Sequence, residues 1–275
     1  MLRRGNRLER GEGFSQSLYS MRRFPFSFLA CAGLCFLTSC VQAEEVAESS
    51  FTPLHDGHTF EGWEHGGNWE IEDGAFHRKS RGGSLTYVVS TVPDDFELRF
   101  EWKVSQGCNS GVYYRPGQVE YQVLDNVGSP YGENARQAAA SLFFCMAPGK
   151  DATRPVGEWN TARILCQGTV IEHWLNGERV LSFDYADPKW KWYVELLGIR
   201  GGDLTGRGGR LWLQDHGQDV WFRRLRWRKM ETGERLEPDP QFEPLPVTGA
   251  ALEKEEARVR TMLEARKEKV KQGKP

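Results

Sequence analysis

The chain has 275 residues, 39% of them hydrophobic and 27% charged, with a formal net charge of -2. That length sets one or two domains, and the near-neutral balance lacks the basic face that a nucleic-acid partner needs. Thirty glycines, 15 phenylalanines and 10 tryptophans, spread over many short apolar runs, point to an all-β sandwich or barrel.

The first element is a leader. Met21-Arg22-Arg23 is basic, and residues 24–37 form an apolar run too short for a membrane span. Leu37-Thr38-Ser39-Cys40 and Val41-Gln42-Ala43 follow. The expectation is an export signal starting at Met21, with residues 1–20 an upstream extension and the leader region occupying 1–43. Leu-Thr-Ser-Cys resembles a bacterial lipobox, whose Cys40 would be lipidated and anchor a periplasmic or cell-surface protein to the membrane. The alternative is plain secretion with cleavage after Ala43. Residues 44–50 read as an acidic tether. Of the six cysteines, Cys108, Cys145 and Cys166 lie beyond the leader. Their odd number argues against a disulfide scaffold, and without metal-ligand spacing they read as small buried apolar residues.

From residue 51 to 230, strand candidates alternate with turn signals. Trp69-Glu70-Ile71-Glu72 leads through Asp73-Gly74 to Ala75-Phe76-His77, and residues 84–90 follow. Residues 96–104 alternate apolar and charged without a break. Residues 111–115, 119–124, 161–167, 169–175, 179–183, 210–214 and 220–229 complete the set. Asn176-Gly177 marks a type I′ hairpin turn. No amphipathic helix is expected in this span, and the glycines at 201, 202, 206, 208 and 209 read as a flexible insertion loop. The pattern predicts two antiparallel sheets packed as a sandwich. Pro238, Pro240, Pro244 and Pro246 then mark residues 231–248 as an extended linker. Residues 249–275 read as a charged helical tail, either solvated or docked on a partner.

Three constellations stand out. In the strand from Val119 to Leu124, Val119, Tyr121 and Val123 share one face, while Glu120 and Gln122 share the other. An unpaired carboxylate is costly to bury, so that second face is expected to be wet and suited to a sugar. Asp125 and Asn126 close it. The preceding strand, led by Asn109-Ser110-Gly111, would set Arg115 near Glu120, either as part of a site or as a surface ion pair. Gln214-Asp215-His216-Gly217 ends another strand. His216 would serve as metal ligand or proton carrier, or the group is a turn held by Asp215. Gly157-Glu158-Trp159-Asn160 would offer a stacking ring and hydroxyl ligands, or a turn with a core tryptophan. No nucleophile elbow, zinc-protease pair, phosphate loop or dinucleotide fingerprint is present.

Together with Leu54-His55-Asp56-Gly57, Gly62-Trp63, Asp95-Phe96-Glu97-Leu98 and Trp174-Leu175-Asn176-Gly177, these motifs resemble the 3-keto-disaccharide hydrolase domain family of exported bacterial proteins, over residues 51–228. The segment 188–209 looks longer than the family pattern, and Phe143-Phe144-Cys145 departs from it. The resemblance implies a concanavalin-like jelly roll with a pocket on its concave sheet. It also implies an enzyme acting on glycosides already oxidised at C3. A C3 ketone acidifies the C2 proton, so the C1 leaving group would depart by elimination, and water would then add. On this reading Glu120 is the base. Arg115, or a divalent metal held by Asp125 and His216, stabilises the enolate. Asn109, Gln122, Glu158 and Gln214 hold hydroxyls, and Trp159 stacks on the sugar. Two other readings stay open: a non-catalytic carbohydrate-binding module, and a two-carboxylate glycosidase acting on unoxidised sugars.

Overall fold

Apolar residues at every second position become strands here because turn residues punctuate them. The computed structural model describes residues 47–272. The expected leader and its Cys40 anchor fall outside the described residues. In chain order the strands are β1 (Thr52–Pro53), β2 (Trp63–Glu64), β3 (Trp69–Glu72), β4 (Ala75–Arg78), β5 (Leu85–Tyr87), β6 (Phe96–Val104), β7 (Asn109–Arg115) and β8 (Val119–Leu124). They continue as β9 (Asn160–Gln167), β10 (Val170–Leu175), β11 (Glu178–Asp184), β12 (Trp212–Leu213) and β13 (Val220–Lys229). Helix α1 (Lys191–Arg200) precedes β12, and helix α2 (Gly249–Lys271) follows β13.

Two antiparallel sheets result. The eight-stranded sheet runs β11-β10-β9-β6-β13-β4-β3, with β1 paired to β13, and the five-stranded sheet runs β2-β5-β12-β7-β8. The chain folds as the expected jelly-roll sandwich. Phe96, Leu98, Phe100, Trp102 and Val104 of β6 turn inward and are buried. Phe100 meets Tyr121 of the facing sheet edge-on at 5.4 Å, and Phe96 meets Tyr114 at 6.1 Å. Such aromatic pairs add about 0.5–1.5 kcal/mol each beyond the area they bury. Asn176 (φ 51°) and Gly177 (φ 84°) form the hairpin turn between β10 and β11. Both residues of a type I′ turn need positive φ, which Asn-Gly supplies at low steric cost. Cys108, Cys145 and Cys166 are free and buried.

Three expectations are corrected. The polar face of β8 is not wet: all six of its residues are buried. Residues 140–143 pair along its free edge, with the Gln122 N–H donating to Ser141 O and the Phe143 N–H to Glu120 O. The segment expected to be a flexible loop contains α1. Asp187 and Pro188 start a short 3-10 turn ahead of it, and left-handed Gly201 (φ 100°) ends it. These are ordinary helix start and stop signals. They are masked because the apolar residues of α1 do not line up on one stripe. Finally, residues 231–248 run along the body rather than free of it. Phe242 packs on Trp190 at 5.9 Å, the Leu245 N–H donates to Pro148 O, and Arg179 bonds Asp239. The tail helix is docked as well. Glu255 is buried against Arg136 and Asn134, and Val259 and Met262 pack on Phe143, Phe144 and Leu196.

Candidate active site

The register of β7 and β8 builds the floor. Gly111 lies opposite Gln122, and Tyr113 opposite Glu120. Glu120 is 1% exposed. Its Oε2 accepts from the Tyr113 hydroxyl at 2.6 Å and from the Arg200 guanidinium at 2.8 Å. Its Oε1 accepts no hydrogen bond among the described residues and points at Gly111. A Cβ placed there would lie 2.2 Å from that oxygen, so only glycine leaves the room. Burial disfavours the charged form and pushes the Glu120 carboxyl up to about 7, against the opposing pull of Arg200 and the Tyr113 hydrogen bond. Burial and the adjacent carboxylate also raise the Tyr113 phenol.

The wall comes from the strand expected to carry His216. Trp212 pairs with Tyr113, and their rings stack at 3.5 Å. The Gln214 N–H donates to Gly111 O at 2.9 Å, and the Ser110 hydroxyl to Gln214 O at 2.8 Å. Asp215 turns the other way. It accepts from Arg78 at 2.6 Å and from the N–H groups of Gly82 and Gly83 at 3.0 Å. That anchorage sets the turn that leaves His216 beside Tyr131, at 6.0 Å. Gln122 donates to Asn109 Oδ1 at 3.1 Å. The Oε1 atoms of Gln122 and Gln214 are buried without a donor among the described residues. Of the two, Gln214 lines the cavity above the floor and suits a sugar hydroxyl, since leaving a buried acceptor unpaired costs about 1–3 kcal/mol, whereas Gln122 is sealed beneath the floor and braces Asn109.

A cavity of about 90 Å³ opens above this floor. Asn109, Glu120, Gln214 and His216 line it, with Tyr131, Phe143, Arg200 and Arg258. The fold therefore brings the acid at 120 and the imidazole at 216 to one cavity on the outer face of the smaller sheet.

Four other expected site residues lie elsewhere. A bulge between Tyr113 and Arg115 breaks the alternation, so Arg115 pairs with Val119 on the core side. There its guanidinium bonds Leu204 O and Asp94 O, both at 3.3 Å. Asp125 is a turn residue. Its oxygens accept N–H groups from Gly107 at 2.7 Å and from Val127 and Gly128 at 3.0 Å, and these bonds hold its carboxyl below the ordinary range despite partial burial. Asp125 does not line the cavity that His216 lines, so the two are not brought together there as a metal-binding pair. Among the described residues no cluster of three or more His, Cys, Asp or Glu could hold a metal ion. Glu158 and Trp159 sit beside β6 and β13 on the other sheet, where Arg223 at 3.9 Å and Lys103 at 5.2 Å cover the Trp159 ring.

Arg200 takes the place expected of Arg115. Gly201 after it marks a helix C-terminus, which was the available signal. Its position over Phe143, at 4.4 Å, depends on how α1 packs. Tyr131 and Arg258 carry no motif, and Phe143 stood out in the sequence only as a departure from the family pattern.

The sequence profile of the 3-keto-alpha-glucoside-1,2-lyase-like domain matches residues 50–228. The chain belongs to that family. A 3-keto-disaccharide hydrolase from Bacteroides thetaiotaomicron is 30% identical over 235 residues, covering 68% of this chain and 80% of the relative. A crystal structure from Parabacteroides distasonis, provisionally named a glycosyl hydrolase, has a TM-score of 0.55 at 26% identity, covering 66% of this chain and 95% of the other. A second such structure from the same organism has a TM-score of 0.54 at 25% identity, over 66% and 99% of the two chains. The protein is a carbohydrate-active hydrolase.

Proposed function

We propose that the protein cleaves glycosides bearing a ketone at C3, by elimination across C1–C2 followed by hydration. The observation that carries this reading is Glu120, a buried carboxyl with one oxygen held by Tyr113 and Arg200 and the other free, which desolvation pushes up to about 7. A base poised near the working pH combines the right protonation state with driving force for proton transfer. Glu120 Oε1 takes the C2 proton. The guanidinium of Arg200 faces the charge that develops on the ketone oxygen. The C1–O bond breaks, and His216 at the rim delivers a proton to the departing oxygen. Water then adds at C1 and gives its proton to His216, which is thereby restored, while Glu120 returns a proton to C2. Gln214 and Asn109 hold hydroxyls, with Gln122 bracing Asn109 from below.

Glu120 is the carboxylate among the described residues lining the cavity. Elimination needs one such group, whereas ordinary glycosidases use a pair. That difference favours the elimination route. The covered ring of Trp159 counts against a stacking lectin. The test is incubation in D₂O with a 3-keto-glucoside and its unoxidised parent. The expected result is turnover of the ketone alone, with deuterium at C2 of the product. Equal cleavage of the unoxidised parent removes the mechanism.

The same reading has the chain exported from Met21 and lipid-anchored at Cys40. Acyl labelling of the mature protein, lost in Cys40→Ser, checks it; cleavage after Ala43 with no label supports free secretion instead.

A further inference from the structure

We propose that Arg258 of the C-terminal helix is a substrate-binding residue, selecting glycosides that carry an anionic substituent. This rests on the catalytic reading of the cavity above. The argument is one of charge accounting. In the 90 Å³ cavity Glu120 is matched by Arg200. A second cavity of about 130 Å³ lies beside it and also counts Arg258 in its lining. Its two carboxylates are matched as well: Glu133 by Lys254 at 2.8 Å, and Glu255 by Arg136. Arg258 is left over. It has no carboxylate partner among the described residues and stands at both cavities, its guanidinium 5.1 Å from the centre of the Phe144 ring. An arginine presents a planar fork of donors suited to a carboxylate, sulfate or phosphate.

The placement is built rather than incidental. Phe144 adopts φ 62°, a left-handed conformation that a bulky residue holds only when its surroundings enforce it. This segment is tied to α2. The Phe144 N–H donates to Arg136 O at 2.8 Å, and the Arg136 side chain is locked by buried Glu255, one turn before Arg258. Phe143 and Phe144 thus support Arg200 and Arg258 in turn. Arg258 is solvent-exposed, so water meets its guanidinium when no ligand is bound, and an anionic substituent is the ligand group that both accepts from the fork and balances its charge.

The experiment uses the full chain with two probes, 4-carboxyphenyl 3-keto-glucoside and its uncharged phenyl counterpart. The wild type is expected to favour the carboxylate by about tenfold or more in kcat/KM, the size of one charge-assisted contact. Arg258→Ala should erase that ratio, Arg258→Lys keep part of it, and Arg258→Glu invert it. A wild type indifferent to charge, or Arg258→Ala retaining the preference, overturns the proposal. Calorimetric binding of the same pair to wild type and Arg258→Ala reads the preference without turnover. A chain that binds with the expected preference yet cleaves neither probe would sink the catalytic reading and leave Arg258 in place.

Discussion

Two buried glutamates, one on each sheet, show what separates a reactive carboxylate from a structural one. Glu97 on β6 is fully buried and met by three arginines: Arg99 at 2.7 Å, and Arg163 and Arg228 at 2.9 Å. Their charges overcome its desolvation and hold its carboxyl below the ordinary 4.5. Glu120 on β8 is equally buried but has one arginine and one phenol, both on the same oxygen. Desolvation wins, and its carboxyl rises to about 7. Counter-charge, rather than burial, sets the difference. The pH dependence of stability therefore has opposite signs. Glu97 stabilises the fold above its unfolded value near 4.5, and that contribution is lost as acid protonates it. Glu120 binds its proton more tightly when folded, so its contribution is present below about 4.5 and is lost as pH rises toward 7.

The sharpest way to break this comparison is at Glu120. Glu120→Gln should lower kcat by about 10²–10⁴-fold, the usual range for a lost general base, while the circular dichroism spectrum stays native. In the wild type, kcat/KM should climb with pH through about 7, because the base acts deprotonated. A flat profile would deny Glu120 the role.

At Glu97 the loss should be in stability instead. Glu97→Gln leaves buried Arg228 short of a partner, and breaking a buried pair costs about 3–5 kcal/mol. Denaturant unfolding should show the drop, with kcat unchanged at a permissive temperature. Equal effects on activity would erase the distinction between the two sites.

Arg200→Met tests the single counter-charge. Losing an oxyanion-type donor costs about 10²–10³-fold in kcat. The rising limb should also move to higher pH, since Arg200 pulls the Glu120 carboxyl down. The smallest effect belongs to Trp159→Ala. It forfeits cation–π contacts worth about 0.5–1 kcal/mol and should leave KM for a 3-keto-glucoside unmoved. A large rise in KM would put sugar on the other sheet.

Strands were legible because their side chains alternate with period two between turn residues. Asn176-Gly177 and Asp73-Gly74 show the chemistry plainly, each with two positive φ values in succession. The motif residues Asn109, Glu120, Gln122, Gln214 and His216 were legible for the same reason, since strand periodicity predicts which side of a sheet each occupies. Arg115 misled because a bulge adds a residue to one strand, and no local signal announces it. Asp125 misled because a carboxylate that caps a turn looks, in one dimension, like one that awaits a ligand.

Alternation and turn chemistry in the sequence alone determined the two-sheet sandwich, its hairpin turns and the polar strand that floors the cavity, because these are local properties of neighbouring residues. Only the tertiary structure decided which charges meet. Arg200 reaches Glu120 across 80 residues, and Glu255 reaches Arg136 across 119. Contacts over such separations are chosen by how helices pack on the sheet. The same packing sets how far each carboxyl is desolvated, and so which of them carries chemistry.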